Sequence, residues 1–184
     1  MILITTSHRS SPRVRSFIKD LVSVLPGAIK IPRGHRTMRD IALKAYKSGL
    51  KYALIIKELH GNPKVISLYR VSPEPDIELV KIADIVLKGV VLSRENPESS
   101  RTYGASSLEV NYSNCISTDC YILADVLTMI FQPIIRKNAD LKVVLEEERY
   151  IYVKFKNVHG KTVGPVLRVM RVIKGGESEA ETSV

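Results

Sequence analysis

The spacing of apolar positions divides the chain into strand and helix segments. Met1 to Thr6, apolar through Ile4, predicts a buried strand. Ser11 as N-cap and Pro12 at the first helical position open a helix. It is expected to run to about Leu25, before Pro26-Gly27. Val14, Phe17, Ile18, Leu21 and Leu25 recur at helical spacing and form one face, leaving Arg13, Arg15, Ser16, Lys19 and Ser23 off it. Ala28 to Ile31 predicts the next strand. Thr37 with Asp40 marks a capping box, and Met38, Ile41, Ala42 and Ala45 face inward until Gly49 ends the helix. Tyr52 to Leu59 and Lys64 to Val71 read as strands around His60-Gly61-Asn62-Pro63, where Pro63 predicts a loop longer than two residues. The first 71 residues thus spell β-α-β-α-β-β, and Pro73 to Asp76 looks like a boundary or crossover.

Beyond it, Ile82 to Leu92 and Leu108 to Tyr112 are strand-like, with a polar loop from Ser93 to Ser106 between them. Thr118 is expected to cap a helix ending near Pro133, apolar nearly all round and so buried between layers. Leu141 to Leu145, Tyr150 to Phe155 and Val163 to Ile173 predict three more strands; in the last, both faces are partly apolar. The order of elements is that of an α/β protein. Residues 174–184 form an acidic tail without core positions, expected to be disordered.

Composition narrows the class. The hydrophobic share of 45% and charged share of 26% exclude general disorder. The most apolar helix segment, Asp119 to Gln132, has 14 residues, short of the roughly 20 a bilayer span needs. No membrane association is therefore expected. The short N-terminal apolar run leads into a polar loop, so no signal peptide is expected either. Cys115 and Cys120, the only cysteines, predict free thiols and a reducing, cytoplasmic setting.

Charge changes the picture more. The net charge is +9, and residues 1–60 alone carry 12 Lys and Arg against Asp20, Asp40 and Glu58. Residues 61–140 sum to −2 and residues 141–184 to +2. An excess confined to the first third is the footprint of a polyanion-binding face. It coincides with Thr5-Thr6-Ser7-His8-Arg9-Ser10-Ser11-Pro12, a strand-to-helix loop of hydroxyls and guanidiniums. Helix N-terminal N–H groups and forked arginines both suit phosphate oxygens. Pro32-Arg33-Gly34-His35-Arg36 is a second loop of this kind, and in a parallel sheet the two emerge at the same edge.

Other motifs carry less. Gly160-Lys161-Thr162 resembles the end of a phosphate loop, but Phe155 stands where that loop needs glycine, and the context is a hairpin turn. Cys115, Cys120 and the four scattered histidines do not reach zinc-ligand spacing. Glu146-Glu147-Glu148 reads as a solvated turn. No catalytic residue, metal or cofactor is expected.

Ile4-Thr5-Thr6-Ser7-x-Arg9, Ser11-x-Arg13-x-Arg15-x-Phe17-x-Lys19-Asp20-Leu21, Leu25-Pro26-x-Ala28 and Arg33-Gly34 resemble the Brix domain family of ribosome-biogenesis proteins. The likeness is to its short archaeal members, and Gly61-Asn62-Pro63 fits the same pattern. It covers residues 1–173 in layout and is specific through about residue 63. Lys64 departs from the glycine many relatives carry there, and long basic extensions are absent. The resemblance implies two similar α/β halves, about 1–72 and 77–173, each like the anticodon-binding domain of class IIa aminoacyl-tRNA synthetases. It also implies a non-enzymatic factor that binds ribosomal RNA or its precursor and assists processing and assembly, with other assembly factors or ribosomal proteins as partners. On that reading Arg9, Arg13, Arg15, Lys19, Arg33, Arg36 and Arg39 hold the RNA backbone, and Arg101 with Tyr103 forms a stacking pair. An enzyme acting on a nucleotide or phosphorylated substrate at the same edge, and a protein-only scaffold docking an acidic partner, are the alternatives.

Overall fold

The structure, a computed structural model, describes residues 1–7, 9–102 and 104–176. Nine strands form one mixed sheet: β1 (Ile2–Thr6), β2 (Ile29–Lys30), β3 (Tyr52–Leu59), β4 (Asn62–Ser72), β5 (Glu78–Val91), β6 (Leu108–Asn114), β7 (Leu141–Glu147), β8 (Ile151–Asn157) and β9 (Thr162–Lys174). Their order across the sheet is β2-β1-β3-β4-β5-β9-β8-β7-β6. Helices α1 (Pro12–Val24), α2 (Met38–Lys47) and α3 (Thr118–Phe131) cover it.

β1 is buried along its whole length because it has a parallel neighbour on each side and helices over both faces. Its alternate side chains serve two cores. Ile2 and Ile4 join Val14, Phe17, Leu21 and Val24 of α1 in the larger one, while Leu3 packs with Ile41 and Ala45 of α2 on the opposite face. The predicted α1 stripe is this buried face, with Ser11 capping the helix, and the Thr37–Asp40 capping box is present in full.

β5 and β9 form an antiparallel pair at the middle of the sheet, from Ala83 opposite Lys174 to Val91 opposite Val166. α1 also packs on β9. Gly164 has φ +65°, and a Cβ there would collide with Val24 of α1, so glycine permits the approach. The larger core consequently runs without a break from β1 and α1 to α3 and β7.

Several expectations need correction. Pro73 to Asp76 is the turn of a hairpin in which Ser72 pairs with Glu78, so it interrupts neither sheet nor core. The β3–β4 turn has two residues, His60 (φ 50°) and Gly61 (φ 76°), both in the left-handed region that tight hairpins use. Pro63 is tolerated because the register shifts opposite it, between Lys57 and Glu58. Ser117, not Thr118, caps α3, and Tyr121, Asp125 and Met129 of that helix face solvent, so it is buried on one side only. The acidic tail begins later than expected. Lys174 is paired in β9, the Gly175 N–H donates to the Ile82 carbonyl (2.7 Å), and residues 177–184 lie outside those described.

Asp140 fastens the loop before β6 to the start of β7. One carboxylate oxygen accepts from the Ser106 N–H (2.9 Å), the Ser107 N–H (3.1 Å) and both serine hydroxyls (3.0 Å each). Hydrogen bonds from Ser106 and then Ser107 lower its pKa to about 2 from the usual 3.8. A carboxyl depressed on folding contributes stability above its unfolded pKa, and that contribution fades as pH falls through the folded one. Thermal melts of the parent and Asp140→Asn should therefore differ most above about pH 4 and converge toward about pH 2. A difference independent of pH would show that the charge of Asp140 is not what holds the loop.

Candidate nucleic-acid interface

β1 and β2 run parallel, so the loops leaving their C-terminal ends open at the same edge of the sheet. Together with the flank of α1 they enclose a cleft of about 380 Å³. Its apolar floor is Ile18 and Ile31, with Thr6 and Ser10 on one wall and Pro32 and Gly34 on the other. Into this space come Arg9 from the first loop, Arg15 and Lys19 one turn apart on α1, Lys30 at the end of β2, and Arg33 from the second loop. Among the described residues no carboxylate lines the cleft, and none of these five cations is held in an ion pair. Arg15 donates to the Ser10 carbonyl and Arg33 lies 3.8 Å from the Met38 sulfur, so both have donors to spare.

Four of the predicted cations thus converge: Arg9, Arg15, Lys19 and Arg33. Lys30 was not among them. Its signal was its place as the last residue of the strand that feeds the second loop.

The remaining predicted residues stand elsewhere. Arg13 projects from the other flank of α1. It makes a two-pronged ion pair with Glu95 and donates to the Val90 carbonyl (3.1 Å). The hydrogen bond to Glu95 raises the Arg13 pKa, and the same bond holds the Glu95 carboxyl below its usual range. Arg36 donates to the Pro32 carbonyl (2.8 Å) and braces the second loop. Arg39 lies 3.7 Å from Asp76, with both side chains largely in solvent. Arg101 is exposed beyond Ser100, which bridges to Val163, and does not line the cleft. Its expected partner Tyr103 lies outside the described residues, as does His8.

The start of α1 is not the open anion cradle that the loop suggested. The Ser11 N–H donates to Glu58 (2.9 Å), the Ser11 hydroxyl donates to the Gly61 carbonyl (2.8 Å), and the Val14 N–H donates to that hydroxyl (3.2 Å). The β3–β4 hairpin thereby occupies the helix end. Positive charge in the cleft comes from side chains along the flank of α1, not from its terminal amides.

The start of α3 is closed in the same way. Glu147, at the end of β7, accepts from the Ile116 and Ser117 N–H groups, and Ser117 caps α3 through the Cys120 N–H (3.2 Å). Glu147 therefore does more than the solvated turn expected of it. Here the expectation of free thiols is overturned: Cys115 and Cys120 form a disulfide, with Cα atoms 5.4 Å apart. The five-residue spacing looked short, but the loop reverses between the strand end and the first helical turn and brings the two together. Among the described residues no cluster of His, Cys, Asp or Glu is suited to a metal ion, and no helix is long and apolar enough to cross a membrane.

Two solved archaeal structures share this fold. A crystal structure of a probable ribosomal biogenesis protein from Aeropyrum pernix superposes with a TM-score of 0.78 at 33% identity, covering 96% of this chain and 97% of the other. Mil, an archaeal Imp4-like protein, shares the fold with a TM-score of 0.68 at 19% identity, over 95% of this chain and all of that one. In sequence, the probable Brix domain-containing ribosomal biogenesis protein of Aeropyrum pernix is 35% identical over 176 residues, which is 90% of this chain and 92% of the relative. Its counterpart in Thermococcus kodakarensis is 40% identical over 95 residues, 52% of this chain and 44% of the relative. No family model matches the chain. The near full-length relationship is decisive, and the chain belongs to the Brix domain-containing ribosomal biogenesis proteins.

Proposed function

We propose that the chain is a ribosome-biogenesis factor that holds ribosomal RNA, or its precursor, by its phosphates in the cleft between α1 and the β2–α2 loop, and so assists processing and assembly. The observation that carries this is the convergence of Arg9, Arg15, Lys19, Lys30 and Arg33 in a cleft that no described carboxylate lines. A small anionic metabolite would be served by two or three donors and an enclosed pocket. An open cleft with cations on both walls suits a chain of phosphates. Arg36 braces the second loop through the Pro32 carbonyl, Arg39 faces Asp76 from α2, and Arg13 belongs to the fold. The work is binding without turnover, in the cytoplasm, alongside other assembly factors or ribosomal proteins.

The residues from 1 to 173 then form one Brix domain whose halves each follow the plan of an anticodon-binding domain. Two observations support a twofold plan, with its boundary after β5 and not at residues 73–76. β6, α3, β7, β8 and β9 repeat the pairing of β1, β3, β4 and β5: a parallel neighbour, then two antiparallel ones. Both halves also close the helix after their first strand with a capping serine and a glutamate from the adjacent strand, Ser11 with Glu58 and Ser117 with Glu147.

Salt dependence tests the cleft. Each single-strand phosphate contact contributes about −0.7 to the log–log slope, so five contacts give about −3.5. Titrating ribosomal RNA fragments across salt concentrations should return a slope near that figure. A flat dependence rules out phosphate binding by this cleft.

A further inference from the structure

The sheet face opposite α1 and α3 is unevenly covered. α2 packs on it across β3, β4 and β5. The second half has no counterpart of α2, since the chain passes from α3 through a short turn at Gln132–Ile134 into β7. Ile151, Val153 and Phe155 of β8 point into the larger core, so Tyr152, Lys154 and Lys156 occupy the uncovered face. The carboxylates there are already matched: Glu146 by Lys154 and Lys156, and Glu109 by Lys142 at 3.0 Å.

Arg168 is different. It stands beside Tyr152 in register on β9, and no described residue accepts a hydrogen bond or ion pair from its side chain. Its Nε is buried without a partner. The guanidinium lies down over Gly89 of β5, where a Cβ would come within 3.1 Å of Nη2. A glycine inside a strand here leaves room for that cation to lie against the sheet. On the same face, the Lys154 ammonium sits 5.9 Å from the centre of the Tyr152 ring.

We propose that this face is a second contact for single-stranded RNA, with a base stacked on Tyr152 and the adjoining phosphate on Arg168. An aromatic ring flanked by cations on an open sheet is the arrangement that binds unpaired bases, because every base has a stacking face and a neighbouring phosphate. An unmatched guanidinium beside it calls for an anion from outside the chain. The inference rests on the reading that the protein binds RNA but not on the cleft.

The chain contains no tryptophan, so Tyr152→Trp installs a single reporter. Adding a short oligouridylate to the full-length Tyr152→Trp protein should quench its fluorescence while leaving affinity near the parent's. Tyr152→Leu should weaken binding about tenfold, within the range of one lost stacked base. Arg168→Gln should weaken it about fivefold at 0.1 M salt, as for one lost phosphate contact. Thermal melts should show both variants folded. An unquenched Tyr152→Trp protein that still binds, or a Tyr152→Leu protein that binds like the parent, overturns this face alone. Failure of the parent to bind oligouridylate or ribosomal RNA overturns both this contact and the proposed function. Quenching by oligoglutamate and not by oligouridylate would assign the face to an acidic protein and overturn the RNA contact.

Discussion

Replacing Arg9, Arg15, Lys19 and Arg33 together by glutamine should abolish most RNA binding while leaving the protein folded. Four lost single-strand contacts reduce the magnitude of the log–log salt slope by about 2.8, and at 0.1 M salt the same relation gives roughly a 600-fold loss of affinity. None of the four side chains is part of either hydrophobic core, and none is held in an ion pair that its loss would break. Changes at exposed sites of this kind usually stay within about 0.5 kcal/mol each. Binding curves at several salt concentrations, with melts of the same preparations, separate the two effects. A variant that keeps the parent's slope would move the principal phosphate interface away from this cleft.

That this cleft was legible in the sequence follows from locality. Arg15 and Lys19 are four residues apart on one helix, so their shared flank follows from helical geometry alone. Arg9 and Arg33 sit in loops that leave adjacent parallel strands, and the apolar runs before each loop announced those strands. The Thr37–Asp40 box and the stripe through Val14 and Phe17 were equally local.

What escaped was non-local. Arg13 looked like its neighbour Arg15 until the fold set Glu95 beside it, 82 positions away. The phosphate cradle at the start of α1 looked open because Glu58 and Gly61, which fill it, lie 47 and 50 positions from Ser11. Cys115 and Cys120 were close in sequence, but their pairing depends on how tightly the loop into α3 turns. Nor does any letter of β5 or β9 say that these strands pair. The buried face of β9 is explained only when α1 and α3 are both found packed against it. Pairings between distant segments are set by the whole core, and a single sequence carries no direct record of them.

Arg13 and Phe17 share one helix and should respond to substitution in separable ways. Phe17 is fully buried between α1 and the sheet. Truncating it to alanine removes the ring and leaves a cavity, at a cost of about 3–5 kcal/mol. For a domain of this size each kcal/mol lowers the melting temperature by roughly 2–4 °C, so Phe17→Ala should melt about 6–20 °C below the parent. Arg13→Ala leaves the Glu95 carboxylate and the Val90 carbonyl without their partner. With about a third of both charged side chains in solvent, the cost should be nearer 1–2 kcal/mol. Because Glu95 also caps the Leu92 N–H (3.0 Å), the turn at Ser93–Glu95 should loosen with it. At temperatures well below both melts, each variant should bind ribosomal RNA with the parent's affinity and salt slope. The measurement that decides is binding at such a temperature. Should Arg13→Ala lose affinity there while Phe17→Ala does not, Arg13 leaves Glu95 to meet the RNA, and the interface extends around the N-terminal end of α1 to its other flank.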